Sequence, residues 1–308
     1  MTGTRVFKVR SRFRGLTLIE LLISMVIGLV VVGAVIVSMV GSGKAGRFQE
    51  AYSQMNEDAQ IASSILSREV QMAGYSQPTG FTDISGGAPT ATFALQYANV
   101  PGNSIFGCDT GFTNPSSTAA STCGTGTMAA MEVAYQADVR STVAVTVGGT
   151  TTVPTDCLGN SISGAAPWIA RNRYYVNTSV AVNSSGRPEL YCASNGGGGG
   201  QPIVENIEGM TVLYGVSLSP PATPAIPPPP QVVRYVTATQ IAAVGAAEWG
   251  NVVSVRICLV VRSAERVLNS GGEDVLTYLD CSGTSQTSND GYLRRAYFST
   301  STIRDRMP

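Results

Sequence analysis

Apolar residues crowd into one block near the start of the chain and then settle into two different rhythms. From Leu21 to Gly43 there is no charged side chain and no proline. Such a run is long enough for a membrane-spanning helix of about 20 residues. Glycines follow at 41, 43 and 46, and each interior glycine costs up to about 1 kcal/mol of helix stability, so a bend or local melting is expected there. Beyond them Phe48, Tyr52, Met55, Ala59, Ala62, Leu66, Val70 and Ala73 recur at spacings of three and four, with polar residues elsewhere around the helix. That is one apolar stripe on an amphipathic helix. Gly74, with Pro78 shortly after, is a stop signal. The pattern predicts one long helix over 16–73, membrane-spanning over about 16–43, whose second half buries its stripe under a head domain.

From Phe81 the rhythm changes to alternation in Thr, Ser, Gly and Val, without an obvious amphipathic helix. Strands are predicted at Ala91–Tyr97, Ala130–Tyr135, Thr142–Val147, Arg173–Val176, Glu189–Cys192, Met210–Tyr214, Val252–Val261 and Arg295–Ile303. Gly196–Gly200 is a five-glycine run, and 220–230 holds seven prolines in eleven residues. Both read as low-complexity, mobile segments, and the proline run cannot sit in a central strand. The fold class is therefore α+β: a long N-terminal helix packed on one β-rich, antiparallel head over 74–308.

The start of the chain carries specific chemistry. Residues 1–15 contain Arg5, Lys8, Arg10, Arg12 and Arg14 and no acid, so this end stays cytoplasmic and the residues beyond Gly43 lie across the membrane. Glu20 sits inside the apolar block, where a carboxylate costs several kcal/mol unless something pairs with it. No small-residue cleavage site follows the block, as a secretory signal would require. Instead Gly15 precedes it, followed by Leu16-Thr17-Leu18-Ile19-Glu20. This order resembles the class III signal of type IV prepilins and pseudopilins. The resemblance implies that a prepilin peptidase cuts after Gly15, methylates the new N-terminus on Leu16 and leaves the helix on the mature protein, residues 1–15 being the leader. The commonest first mature residue in that family is phenylalanine, and Leu16 departs from it. A plain signal anchor is the alternative.

Composition fits an exported protein. At 44% hydrophobic and 13% charged the chain is low in charge. Removing residues 1–15 takes away five of the 20 basic groups and none of the 20 acids, leaving a net charge of −5. Without a basic stripe nucleic-acid binding has no support. Six cysteines, at 108, 123, 157, 192, 258 and 281, favour up to three disulfides in an oxidising compartment. Although six cysteines allow 15 pairings, the expectation is pairing of sequence neighbours: Cys108 with Cys123, Cys157 with Cys192, and Cys258 with Cys281, which flank loops and a candidate hairpin. There is no histidine and no CxxC, which excludes Ser-His-Asp and Cys-His catalysis and disfavours zinc or thioredoxin-like chemistry. The 41–46 glycines miss the phosphate-loop pattern, because Ser38 and Ala45 stand where a glycine and a hydroxyl are needed. Asn289-Asp290-Gly291 is a hairpin-turn signal; Asp280 and Asp290 near it offer carboxylates for calcium, without EF-hand spacing. No enzyme, cofactor or resident metal is expected.

A second resemblance lies in the head. Residues Leu66–Tyr75 (LSREVQMAGY), Asn206–Gly215 (NIEGMTVLYG), Trp249–Arg262 (WGNVVSVRICLVVR) and Leu293–Phe298 (LRRAYF) are similar to the PilW family of type IV pilus assembly proteins. The resemblance implies a minor pilin, in the inner membrane with a periplasmic head before assembly and on the cell surface after it. Its implied partners are the prepilin peptidase, other minor pilins and the major pilin, and its implied role is to start a filament, with display of a tip adhesin as a further task. A GspJ-like pseudopilin of a type II secretion system is the alternative within the class, and a membrane-tethered adhesive protein the alternative outside it. Glu20 is assigned to assembly, pairing with the methylated amine of Leu16 and fixing the register between packed helices.

Overall fold

The computed structural model describes residues 15, 17–76, 96–97, 100–101, 104–117, 121–138, 141–149, 151–164, 168–179, 185–217, 231–268 and 275–306. Leu16, the leader residues 1–14, most of the predicted strand at 91–97 and the proline run lie outside the described residues. The chain divides into two compact units, residues 1–50 and 51–308.

Helix α1 spans Leu18–Met72. It continues unbroken through Gly41, Gly43 and Gly46, where the glycines alone would predict a bend; a few weak positions do not outweigh the propagation of a long helix. Gly74 follows its end with φ 81°, the left-handed conformation that stops a helix. In the second unit the buried seam of α1 is Ala51, Met55, Ala59, Ala62, Leu66, Val70 and Ala73. Its steps of four, four and three repeat every eleven residues, about 3.67 per turn, so the seam stays on one face of a nearly straight helix. Tyr52 is not part of it: the side chain is 40% exposed, and Ala51, one position back, takes the inward place.

The strands are β1 (Gln96–Tyr97), β2 (Val100–Pro101), β3 (Ile105–Cys108), β4 (Ala130–Ala137), β5 (Ala144–Val147), β6 (Thr151–Pro154), β7 (Trp168–Asn177), β8 (Glu189–Ser194), β9 (Gln201–Glu205), β10 (Ile207–Val216), β11 (Arg234–Val236), β12 (Val252–Arg262), β13 (Leu276–Leu279), β14 (Ser285–Ser288) and β15 (Arg294–Thr302). Two sheets carry the head, a five-stranded one in the order β3-β4-β7-β8-β9 and a four-stranded one in the order β11-β10-β12-β15. All their pairings are antiparallel. Strand β10 packs against β4, β7 and β8. Every residue of β4 is buried, which is why its sequence, AMEVAYQA, reads as nearly continuous rather than alternating. Asn206, with φ 65°, makes the corner between β9 and β10 and so carries the chain from one sheet to the other.

Three expectations need correction. The head does contain a helix, α2 (Ala238–Val244), opened by a capping box in which Thr237 and Gln240 satisfy each other's backbone N–H groups; seven residues are too few to show a period. The 3-10 turn Ala246–Asn251 follows it, and its Trp249 meets the edge of Tyr214 at 4.9 Å and Phe106 at 5.2 Å. Second, Asn289-Asp290-Gly291 is not a hairpin tip. The hairpin is β13–β14, turning at Asp280–Thr284, and Gly291 (φ 81°) instead leads into β15. Third, the glycine run is an ordered turn between β8 and β9. Gly197, Gly198 and Gly199 have φ of 97°, 83° and 77°; Asn160 Nδ2 donates to the Gly197 carbonyl at 2.9 Å and the Gly200 N–H to Ser116 Oγ at 3.1 Å. A side chain at Gly196 would overlap Asp156 Oδ2, and one at Gly200 the Tyr175 hydroxyl.

Candidate functional site

The first turn of α1 begins just past Gly15. Gly15 is exposed and lies outside the helix. The Thr17 carbonyl accepts from the Leu21 N–H at 3.2 Å, and Thr17 Oγ1 accepts from the Glu20 N–H at 3.4 Å. Thr17-x-x-Glu20 therefore stands at the helix start in the order of a capping box. Glu20 occupies the first turn, where the helix dipole favours an anion, and its exposed carboxylate meets no cation among the described residues. From Leu18 to Met39 the large apolar side chains are between 50% and 80% exposed. A helix apolar on all sides needs lipid or other helices around it, and α1 alone among the described helices is long and apolar enough to cross a membrane.

The second unit holds α1 through polar ties as well as the apolar seam. Tyr297 Oη donates to Asn56 Oδ1 at 2.7 Å, Asn206 Nδ2 to Asp58 at 2.8 Å, Ser301 Oγ to Ser67 Oγ at 2.8 Å, and Asn172 Nδ2 to Glu69 at 2.9 Å. These ties reach β15, the β9–β10 corner and β7, so both sheets grip the same helix. Burial pushes the Glu69 carboxyl above its ordinary range, against the pull of Asn172 and Tyr174, which hydrogen-bond to it. Burial, with Glu69 close by, also pushes the Tyr135 and Tyr174 phenols well up.

A second polar centre locks the loop between β3 and β4. Arg173 on β7 and Glu132 on β4 are cross-strand partners, 2.5 Å apart with no side-chain exposure on either. Arg173 also donates to Ser121 Oγ at 2.6 Å and to the Pro115 and Ser117 carbonyls, and Ser121 donates to Glu132. Nothing in the sequence singles this pair out by itself, yet half of a signal is present: Glu132 is the one charged residue in the strand AMEVAYQA, whereas β7 carries two arginines, Arg171 and Arg173. The carboxylates considered for calcium are engaged locally. Asp280 accepts from Ser282 and Gln286, which hold it at about 2. Asp290 is held far below the usual range by Arg294, which also grips Glu208. Among the described residues no group of three or more His, Cys, Asp or Glu side chains converges.

The six cysteines form three bonds between sequence neighbours, Cys108–Cys123, Cys157–Cys192 and Cys258–Cys281. The first closes the loop that Arg173 holds. The second ties the 156–160 turn to β8, and the third ties the β13–β14 hairpin to β12.

Residues 10–36 match the prokaryotic N-terminal methylation motif, and residues 173–305 match the family Type IV Pilus-assembly protein W, PilW. A type IV-like pilin from Thermus thermophilus is similar in structure, at 13% identity and a TM-score of 0.35, over 83% of this chain and 98% of that one. No curated protein matches. A methylation motif at the head of an uncovered apolar helix, with a disulfide-stapled antiparallel head behind it, defines a type IV pilin-like protein. Within that class it is the part from the middle of β7 through β15, residues 173–305, that matches the PilW domain.

Proposed function

We propose that the protein is a minor pilin of a type IV pilus, processed by a prepilin peptidase after Gly15 and N-methylated on Leu16. It is held in the inner membrane by α1, with its head in the periplasm, until it joins other pilins to start a filament and help display a tip adhesin. The observation that carries the reading is the coincidence of the methylation motif with the helix start: the motif spans 10–36, Gly15 lies outside the helix, and the uncovered apolar surface opens at Leu18. The PilW match over 173–305 favours a pilus over a type II secretion pseudopilin. The role is structural, and Glu20 is its assembly residue. In a bundle of apolar helices its carboxylate needs a cation, and the methylated amine of Leu16, on a neighbour or on the same chain, supplies one.

Intact-mass and N-terminal analysis of membrane-extracted protein tests this directly. The expected product starts at methylated Leu16; a chain starting at Met1, or cut beyond residue 40, overturns the reading. Glu20→Ala is expected to insert and to be cleaved normally, because insertion is easier without the charge, while its incorporation into sheared filaments falls sharply. Wild-type piliation by Glu20→Ala removes the charge-pairing account.

A further inference from the structure

A cavity of about 380 Å³ lies in the second unit, where α1 meets the five-stranded sheet. That is the size of a small-molecule site. Its apolar lining comes from Ile65 of α1, Val143, Ile203 of β9 and the Cys157–Cys192 disulfide. Its polar lining carries two carboxylates, Glu69 of α1 and Asp156 of the 156–160 turn, and two phenols, Tyr135 of β4 and Tyr174 of β7. Both carboxylates act electrostatically on both phenols, so the four groups form one polar wall.

This wall is short of positive charge. Glu69 accepts from Asn172 Nδ2 at 2.9 Å and hydrogen-bonds with Tyr174, both neutral partners. Asp156 is 7% exposed; its Oδ1 accepts from the Leu158 and Asn160 N–H groups, and its buried Oδ2 has no donor among the described residues. Among those residues neither carboxylate is in an ion pair. Arg68, the basic group on the lining, is exposed and pulls on Glu69 from beyond ion-pair distance. A buried carboxylate without a cation is costly, and burial is indeed the largest influence on Glu69. An anion would be repelled here. A calcium ion takes six or more oxygens, and among the described residues no group of three or more His, Cys, Asp or Glu side chains converges to supply them. An apolar wall beside a carboxylate that lacks a counter-charge suits an organic cation.

We propose that this cavity binds a small aliphatic amine, with its ammonium at Glu69 and its alkyl stem along Ile65, Val143 and Ile203. The charge-assisted bond to Glu69 orients the ligand, the apolar wall adds affinity with each buried methylene, and Asp156 deepens the negative potential. The inference goes beyond the role in a pilus and does not depend on the processing of Gly15.

The test titrates the full chain, in non-ionic detergent, with n-pentylamine and with 1-pentanol as its neutral counterpart, read by calorimetry. Saturable binding of the amine is expected, about tenfold or more tighter than that of the alcohol. Glu69→Gln, its folding checked by its melting curve, should bring the amine down to the level of the alcohol and leave the alcohol unchanged. Val143→Lys, at a rim position that is 76% exposed, tethers an ammonium beside the cavity and should weaken the amine about tenfold. Wild-type affinity should rise from about pH 5 to about pH 8 as Glu69 ionises. Of the groups that face it, the buried phenols stay protonated over this range, while Arg68 and Asp156 are common to wild type and Glu69→Gln, so loss of the rise in that variant assigns it to Glu69. Absence of saturable binding, equal affinity for the alcohol, full affinity or an unchanged pH slope in Glu69→Gln, unaltered binding by Val143→Lys, or displacement of the amine by an equal concentration of calcium chloride each overturns the site.

Discussion

Glu132 and Arg173 show how much rests on single side chains in the head. Two fully buried charges survive only as a hydrogen-bonded pair, and removing one partner leaves the other uncompensated. Arg173→Met is therefore expected to cost about 3–5 kcal/mol in denaturant unfolding of the full chain. The double variant Arg173→Met with Glu132→Leu should recover most of that loss, because it leaves no orphaned charge. An equal loss in both variants would mean that the bonds of Arg173 to the Pro115 and Ser117 carbonyls and the packing around them, not the ion pair, are at stake. Residues of this kind were partly legible. A single charge inside an apolar strand is visible in the sequence, but its partner is fixed only by the β4–β7 register, which the sequence does not print. Glu69 is similar: its place on α1 one residue from the seam was readable, its tie to Asn172 was not.

The turn between β8 and β9 makes the same point for an element. As a stretch of composition, Gly196–Gly200 looks like a linker. In the fold three of the five glycines are left-handed and the other two abut Asp156 and Tyr175. A left-handed conformation costs a residue with a side chain roughly 1–2 kcal/mol. Replacing all five by serine is thus expected to lower stability by several kcal/mol in thermal or denaturant unfolding, whereas a true linker would tolerate the change. Elements with an apolar rhythm were legible: the long helix, its stop at Gly74, and the centres of β4, β7, β8, β10, β12 and β15. Elements without one were not. β14 reads SQTS and is largely exposed, so only its pairing with β13 and the Cys258–Cys281 staple make it a strand. β9 contains Pro202, which fits its place at a sheet edge but hides it from pattern reading.

At the scale of the whole molecule, acid and base act on the head in opposite senses. The Glu69 and Asp58 carboxyls are raised by burial above their ordinary values of 4.5 and 3.8. Their contribution to stability is complete below those values and is lost as pH rises through the shifted ones. Asp280 and Asp290 are lowered, so theirs is complete above the ordinary value of 3.8 and is lost as pH falls. Stability should peak between the two limbs. Glu69→Gln is expected to flatten the upper limb, so that its melting temperature falls less than that of the wild type between about pH 5 and about pH 8. A parallel pair of curves would show that Glu69 is ionised without penalty.

The distribution of the cysteines gives the molecule a mechanical character. Their sequence separations are 15, 35 and 23 residues, and none lies on α1. Tension entering through the helix therefore loads no covalent cross-link. It passes to the head through an apolar seam rich in alanine, through side-chain ties at Asn56, Asp58, Ser67 and Glu69, and through the backbone bonds of Gly74 and Tyr75 to β4. Under load the joint that yields first is therefore non-covalent, between helix and sheets, and not a disulfide.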